Sequence, residues 1–126
     1  MEGKIIMVTN NPALKQSHYP DVEKIYIEEK GIQNVLCYVR DQIHKGHRLL
    51  THPLSGSLKP NENPYKSILI SKNCVQVDFA QLEIVENCIE SARKFIEGKR
   101  LPDYGQKVMN DFMIVDKTII ESGLKK

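Results

Sequence analysis

The sequence of 126 residues predicts an α/β protein in which helices flank a small, mostly parallel sheet of four strands. Short β-branched runs alternate with stretches in which apolar residues recur every three or four positions, the period of a helix. The chain is 40% apolar and 27% charged, which is typical of a globular protein. We expect one domain over residues 1–126, with a polar loop over 52–66 and a helical pair over 78–122.

Three strands and a helix are predicted in the first half of the chain. Residues 4–9 form a short β-branched run that stops at an Asn-Asn-Pro turn, as a buried parallel strand would. Residues 23–28 alternate apolar and polar side chains, which indicates a strand at a sheet edge. Apolar spacing predicts a helix over 31–45, followed by a glycine C-cap, and a third strand over 47–51.

The second half begins with the polar loop and continues with a fourth strand over 67–71. Two helices are then predicted, one over 78–98 with Asp78 as its N-cap and one over 106–122. The last helix has an apolar face that is wide for packing on one side only. A homodimer contact would explain that width, and a deep groove on the sheet would explain it equally well.

A right-handed crossover between the first two strands gives the spatial strand order 2-1-3-4, as in flavodoxin-like folds. In such sheets ligands bind beyond the carboxyl ends of the strands, where the chain reverses direction across the sheet. Asn10 and Asn11 leave the first strand at that edge, and His52 leaves the third strand there. The sequence therefore predicts one crevice formed by two polar segments.

The composition excludes several classes of partner. The formal net charge of +2, with no Trp and three Phe, is too balanced and too poor in aromatic residues for a general nucleic-acid binder. The longest apolar run, residues 35–39, is far shorter than the roughly 20 residues of a membrane span. We therefore expect neither nucleic acid nor a membrane as a partner, and no secretory leader is expected either.

The cysteines and the motifs limit which cellular compartment and which cofactors are expected. The three cysteines form no C-x-x-C pair, which indicates free thiols in a reducing cytoplasm. The glycine-rich and histidine-rich signatures of nucleotide and metal enzymes are missing from the sequence, so no cofactor is expected. A redox role for Cys74 is conceivable, but nothing nearby in the sequence marks it out.

The polar loop carries the strongest functional signal. Residues 40–72 hold six basic and two acidic side chains, together with three of the four histidines. Structureless connections as long as this loop are uncommon in compact domains and tend to be functional. In Ser55-Gly56-Ser57, glycine allows a positive φ, so that successive N–H groups can point into one concavity. With Lys59 this nest suits a phosphate or carboxylate, while a plain Ser-Gly-Ser turn is the other interpretation.

Three further residues are candidates for the site. His52, at the end of a predicted strand, suits a general acid or base or a donor to a bound anion, although it could simply bind a loop carbonyl. It is the best catalytic candidate, and no catalytic residue is assigned. Asn10 and Asn11 either bind a ligand through their amides or cap the turn that follows.

A histidine metal site is not expected. His47 and His52 bracket a strand of five residues, which places them about 16 Å apart at opposite ends of the sheet. His44 would lie at the end of a helix, far from the loop. One metal ion cannot collect all three side chains.

Three short motifs cover the loop and the residues next to it, and a fourth lies earlier in the chain: residues 44–57 (H-K-G-H-R-L-L-T-H-P-L-S-G-S), Lys59-Pro60-Asn61-Glu62, Pro64-Tyr65-Lys66-Ser67 and the earlier Thr9-Asn10-Asn11-Pro12. They resemble the GrdX family of small proteins. The similarity is specific over residues 44–67 and weak beyond. It implies that the gene lies beside those of the glycine, sarcosine and betaine reductases of amino-acid-fermenting anaerobes. The product of these reductases is acetyl phosphate. It implies no established activity.

The leading hypothesis is a small accessory protein that binds a small anionic ligand, bearing phosphate or carboxylate, at the carboxyl edge of the sheet. The expected ligand-binding residues are Asn10, Asn11, His52, Ser55, Gly56, Ser57 and Lys59. Whether the ligand is turned over stays open. The alternative is a non-catalytic module that docks on a reductase subunit through the basic loop or the Met109/Met113 face.

Overall fold

The computed structural model describes residues 5–29, 31–52, 64–96 and 104–124. The elements of the described part are β1 (Ile5–Thr9), a 3₁₀ turn (Pro12–Leu14), β2 (Val22–Tyr26), α1 (Gln33–His44), β3 (Ser67–Ser71), α2 (Phe79–Ile96) and α3 (Gln106–Leu124). No helix in these ranges is long and apolar enough to cross a membrane.

The three strands form one mixed sheet with the order β2-β1-β3. β1 and β2 are parallel, and β1 and β3 are antiparallel. In the antiparallel pair Thr9 lies opposite Ser67, so the carboxyl end of β1 meets the amino end of β3. This pairing places two hydroxyl side chains side by side at one end of the sheet.

Helices cover both faces of the sheet, because the central strand is apolar on both sides. Ile6 and Val8 of β1 pack into a core with residues of α1 and α2. Met7, which points the opposite way, packs with Ile120 of α3 and with Leu14 of the 3₁₀ turn. The continuous apolar run of β1 is what a strand buried on both faces requires.

The predicted four-stranded, mostly parallel sheet with the order 2-1-3-4 is wrong. The run Ser67–Ser71, predicted as a fourth strand, is β3 and pairs directly with β1 in the antiparallel direction. Residues 47–51, predicted as the third strand, form only a single bridge, between Leu49 and Ile70 on the far side of β3. A short apolar run has the same pattern in either direction, so its sequence does not specify parallel or antiparallel pairing.

Side chains replace a strand partner around Leu49. The Gln81 side-chain amide accepts a hydrogen bond from the Leu49 N–H and donates one to the Leu49 carbonyl. The Thr51 hydroxyl accepts from the N–H of Leu69 in β3. Regular pairing of strands therefore does not continue beyond the bridge between Leu49 and Ile70. Because β3 is antiparallel both to β1 and to the Leu49 bridge, the segment leading to His52 runs in the same direction as β1.

The two C-terminal helices lie close to where apolar spacing places them. Asp78 is the predicted N-cap of α2, and its carboxylate accepts hydrogen bonds from the N–H groups of Ala80 and Gln81. On α3, Asp116 and Ile120 are buried against the rest of the protein, whereas Val108 and Val115 remain exposed. Only part of the wide apolar face is therefore covered by the described residues of the chain.

Candidate functional site

A buried polar network joins β1, β3 and α3 at the carboxyl end of β1. The Thr9 and Ser67 hydroxyls lie 2.7 Å apart, and the Ser67 hydroxyl lies 2.6 Å from a carboxylate oxygen of Asp116. All three side chains are buried. Hydrogen bonds to a carboxylate are worth more than neutral ones, so the network ties α3 to the end of the sheet.

The hydrogen bonds of this network have one direction. A carboxylate only accepts, so the Ser67 hydroxyl donates to Asp116 and must accept from Thr9. The Thr9 hydroxyl in turn accepts from the backbone N–H of Asn11. The chain of donors therefore runs from the backbone after β1, through two hydroxyls, to the carboxylate.

Asn11 holds the same helix from the other side. Its side-chain N–H₂ donates to the Met113 carbonyl at 2.9 Å and to the Asp116 carboxylate at 3.0 Å. Its side-chain oxygen accepts from the Ala13 N–H, which caps the 3₁₀ turn. The amide of Asn11 is thus engaged by partners within the protein.

Asn10 fixes the segment that enters β3. Its side-chain nitrogen lies within hydrogen-bond distance of three carbonyls, of which the Pro64 carbonyl, at 2.9 Å, is nearest. Its side-chain oxygen accepts from the Lys66 N–H at 2.8 Å. Asn10 therefore joins the end of β1 to residues 64–66, and the position of Ser67 in the network follows from this.

Lys66 places a positive charge inside the protein. Its side chain is buried and interacts electrostatically with Asp116 and with Cys88 of α2. Burial lowers the pKa of the Lys66 ammonium, and the interactions with Asp116 and Cys88 partly oppose that shift. Burial also raises the pKa of the Cys88 thiol. The lysine thus lies buried directly before β3, beside the carboxylate of the network.

A cavity of about 700 Å³ lies between β3 and α3, beside the network. Thr51, His52 and Ser67 form part of its polar lining, and Leu69 and Ile120 are among its apolar residues. His52 also lines a smaller pocket of about 340 Å³ that includes Cys88 of α2. The cavity thus combines hydroxyl groups, an imidazole and an apolar wall, which suits a small ligand with one polar end.

A family model for GrdX-like protein matches residues 6–125. The chain belongs to the GrdX-like protein family. No curated protein and no solved structure is similar enough to the chain to match it. The sequence similarity around the loop is therefore confirmed as family membership, and the geometry above belongs to a member of this family.

In this GrdX-like chain the structure describes three of the residues predicted to share one site, Asn10, Asn11 and His52. Asn10 and Asn11 belong to the buried network, where their amides have internal partners, and His52 lines the cavity on the far side of β3. Ser67, at the start of β3, contributes to both places. The remaining predicted residues, Ser55, Gly56, Ser57 and Lys59, lie outside the described residues, and their role in ligand binding stays a prediction.

The histidines are also separated in this chain. His47 lies beside Ser71, at the opposite end of β3 from Ser67, and His52 lines the cavity. Within the described ranges, no three His, Cys, Asp or Glu side chains form a group that could hold a metal ion.

Lys66, Ser67 and Asp116 were not predicted as site residues from the sequence. Asp116 has apolar neighbours three and four positions away on α3, and an acidic residue on the inner face of a helix signals a buried partner. Lys66 ends the predicted polar loop and Ser67 begins the predicted fourth strand, where neither residue type indicates a buried site. Their burial depends on the antiparallel placement of β3, which the local pattern does not specify.

Proposed function

We propose that this member of the GrdX-like family is a small accessory protein of amino-acid reductase metabolism that binds a small organic anion in a reducing cytoplasm. The ligand lies in the cavity between β3 and α3. The observation that carries this proposal is the cavity of about 700 Å³ with Thr51, His52 and Ser67 on its polar side. The family membership supports the accessory role.

The lining of the cavity favours a ligand with a charged end and a short apolar part. The Thr51 hydroxyl and the His52 imidazole can donate hydrogen bonds to a phosphate or carboxylate, whereas the Ser67 proton is already donated to Asp116. Leu69, Ile119 and Ile120 provide an apolar wall for the rest of the molecule. In this proposal Asn10 and Asn11 act indirectly, because they hold Lys66 and Ser67 in place. The nest predicted at Ser55-Gly56-Ser57 would add donors from the segment after His52.

Thermal unfolding of the wild type and of His52→Ala, each with phosphate, acetyl phosphate, nucleotides, glycine and betaine, tests the proposal. A ligand present at about 100 times its Kd adds about 2.7 kcal/mol of stability, which raises Tm by several degrees in a domain of this size. We expect such a shift in the wild type and its loss in His52→Ala. His44→Ala, an exposed histidine on α1, is the matched control and should keep the shift.

A second variant tests the location of the ligand. Gly123 of α3 lines the cavity, and a Cβ there would lie 3.4 Å from the Thr51 methyl carbon and 3.7 Å from a Leu69 methyl carbon. Gly123→Leu should fill the cavity and abolish the ligand-induced shift without lowering Tm in the absence of ligand. A shift that survives both substitutions, or no shift with any compound, would contradict binding in this cavity.

The alternative function, docking on a reductase subunit, is favoured by a different observation. Val108, Ile114 and Val115 of α3 are exposed, with Ile114 60% accessible. Pull-down of the reductase subunits with the purified protein, at low and high salt, tests it. Association that Ile114→Ser abolishes, without any ligand-induced shift in Tm, would favour docking over ligand binding.

A further inference from the structure

A cysteine and a histidine form a pair at the carboxyl end of β3, away from the cavity. The Sγ atom of Cys74 lies 3.1 Å from Nε2 of His47, and Nδ1 of His47 lies 2.7 Å from the Ser71 carbonyl oxygen. Cys74 is exposed, whereas His47 is buried. The reacting sulfur is thus open to solvent while the base beside it is held by the protein.

The Ser71 carbonyl decides which nitrogen of His47 carries the proton. A carbonyl oxygen only accepts, so Nδ1 of His47 donates to it. In the neutral ring Nε2 is then the acceptor, and it faces the Cys74 thiol. This is the arrangement of an activated nucleophile, in which a thiol lies within hydrogen-bond reach of a base and a third group orients that base.

Backbone hydrogen bonds hold the two segments of the pair together. The Gly46 carbonyl accepts from the Val75 N–H at 3.0 Å, and the Arg48 carbonyl accepts from the Ser71 N–H at 2.8 Å. The Ser71 hydroxyl accepts from the Arg48 N–H. These bonds flank His47 on one segment and Cys74 on the other, so the distance between Nε2 and Sγ is set by the fold.

Gly46 permits this close contact. It has a φ of +103°, and a Cβ at this position would lie 2.0 Å from the Val75 carbonyl oxygen. Only glycine fits both the backbone conformation and the space. An open cleft of about 580 Å³, lined in part by Arg48, Val75 and Phe79, begins at the residue after Cys74. Cys74 itself does not line this cleft, but it is exposed, so a small molecule can approach the thiol from solvent.

We propose that Cys74 is a nucleophilic thiol that exchanges with small disulfides, and that His47 is its general base. Nε2 of His47 accepts the Sγ proton as Sγ attacks one sulfur of the disulfide. A bond forms between the Cys74 sulfur and that sulfur, the original S–S bond breaks, and the imidazolium returns the proton to the departing thiolate. One thiol and one disulfide give one thiol and one mixed disulfide, so no further oxidant is required.

The other two cysteines do not take part in this reaction. Cys88 is buried in the core, and Cys37 is half-buried on α1. The product is therefore a mixed disulfide on the exposed Cys74, which a second small thiol can reverse by the same chemistry. We infer a reversible modification site that is distinct from the cavity of the proposed function and independent of it.

The reaction of the folded protein with dithiodipyridine at neutral pH, followed at each cysteine by mass-spectrometric peptide mapping, tests the proposal. An ordinary thiol is only about 3% ionised at pH 7, and its gain from a base is partly offset by lower nucleophilicity. His47→Asn keeps an N–H donor for the Ser71 carbonyl but lacks the base. We expect Cys74 to react about 3–10-fold more slowly in this variant, whereas His44→Asn should react like the wild type.

A second comparison needs no histidine variant. Folding usually slows the reaction of a thiol, but the pair should make Cys74 of the folded wild type react about threefold faster than Cys74 of the protein unfolded in urea. Cys74→Ser should remove the fast reaction entirely. Equal rates in the wild type and His47→Asn, or a Cys74 that reacts more slowly when folded than when unfolded, would overturn the proposal.

Discussion

The two ends of β3 use similar polar groups for different purposes. At the amino end, Ser67 joins Asp116 in a buried network in which each hydroxyl has a partner within the protein. At the carboxyl end, Ser71 orients His47, which faces the exposed thiol of Cys74. The difference lies in burial. A buried polar group must be fully paired to be tolerated and so holds elements together, whereas an exposed group remains available to a reagent.

The largest effect is expected from a substitution near the exposed, carboxyl end of β3. Gly46→Ala places a Cβ 2.0 Å from the Val75 carbonyl oxygen in a backbone with a φ of +103°. Both the clash and the conformation oppose folding, so we expect the free energy of unfolding to fall by about 3–5 kcal/mol. Urea unfolding measures it, and the reaction of Cys74 should slow as well.

Gly123→Ala is the matched control for Gly46→Ala. Gly123 lies in helix α3, and the nearest atom to a Cβ there is a side-chain methyl at 3.4 Å. Alanine favours the helix by up to about 1 kcal/mol, so stability should stay unchanged or rise slightly. If both substitutions cost the same, the backbone contact at Gly46 is not what holds the two segments together.

The next largest effect is expected from a substitution at the buried, amino end of β3. Asp116→Ala removes the acceptor of the Ser67 hydroxyl and of one Asn11 N–H, and both donors are buried. Leaving them unpaired should lower the free energy of unfolding by about 3 kcal/mol. Asp116→Asn, which retains one acceptor oxygen, should recover part of this loss.

Asp111→Ala provides the control on the same helix. Asp111 is exposed, and its removal should change stability by less than about 0.5 kcal/mol. A double-mutant cycle between Asp116→Ala and Ser67→Ala should give a coupling of about 1–2 kcal/mol. No coupling would mean that the two residues do not form the hydrogen bond described above.

The smallest expected effect concerns a second carboxylate of α3, that of Glu121, which pairs with a tyrosine. The half-buried Tyr19 donates to Glu121 at 2.5 Å, and burial, followed by this hydrogen bond, raises the pKa of the Tyr19 phenol above its ordinary value of 10.0. Tyr19→Phe should lower stability by only about 1 kcal/mol at neutral pH.

The pH dependence has a definite sign. Because the folded state raises the pKa of Tyr19, its contribution is fully present below the unfolded value of 10.0 and is lost as the pH rises through the folded value. Above the unfolded value of 10.0, wild-type stability should therefore decline more with rising pH than that of Tyr19→Phe. Tyr38→Phe, a half-buried tyrosine of α1, is the control. Parallel declines in the wild type and Tyr19→Phe would contradict a raised pKa.

Local patterns predicted most of the helices and strands. The run Ser67–Ser71 has the bounds expected from its apolar residues, and the Asp78 cap lies where a short polar residue precedes a helix. Each of these depends on neighbours within a few positions. The direction of β3 depends on how two distant segments pair, and the alternation of side chains is the same in both directions. For that reason the parallel sheet was predicted wrongly.

The candidate site shows the same limit. His52 lines a cavity and lies at the end of a segment that runs in the direction of β1. The partners of Asn11 were not predictable, because Met113 and Asp116 lie more than 100 residues away. The pairing of His47 with Cys74 was likewise not predictable, because the two residues are 27 positions apart in the sequence. Residue types indicate what chemistry is available, but not which groups meet.

The sequence by itself determined the family of this protein, its alternation of helices and apolar strands, and the polar character of the segment around His52. These follow from motifs and from the short-range periodicity of apolar residues, both of which are contained in short segments of the sequence. The tertiary structure alone decided that β3 lies between β1 and the Leu49 segment, which polar groups are buried in pairs and which thiol faces a base. Such contacts join residues that are remote in the chain, and their free energy depends on burial and distance that exist only after folding.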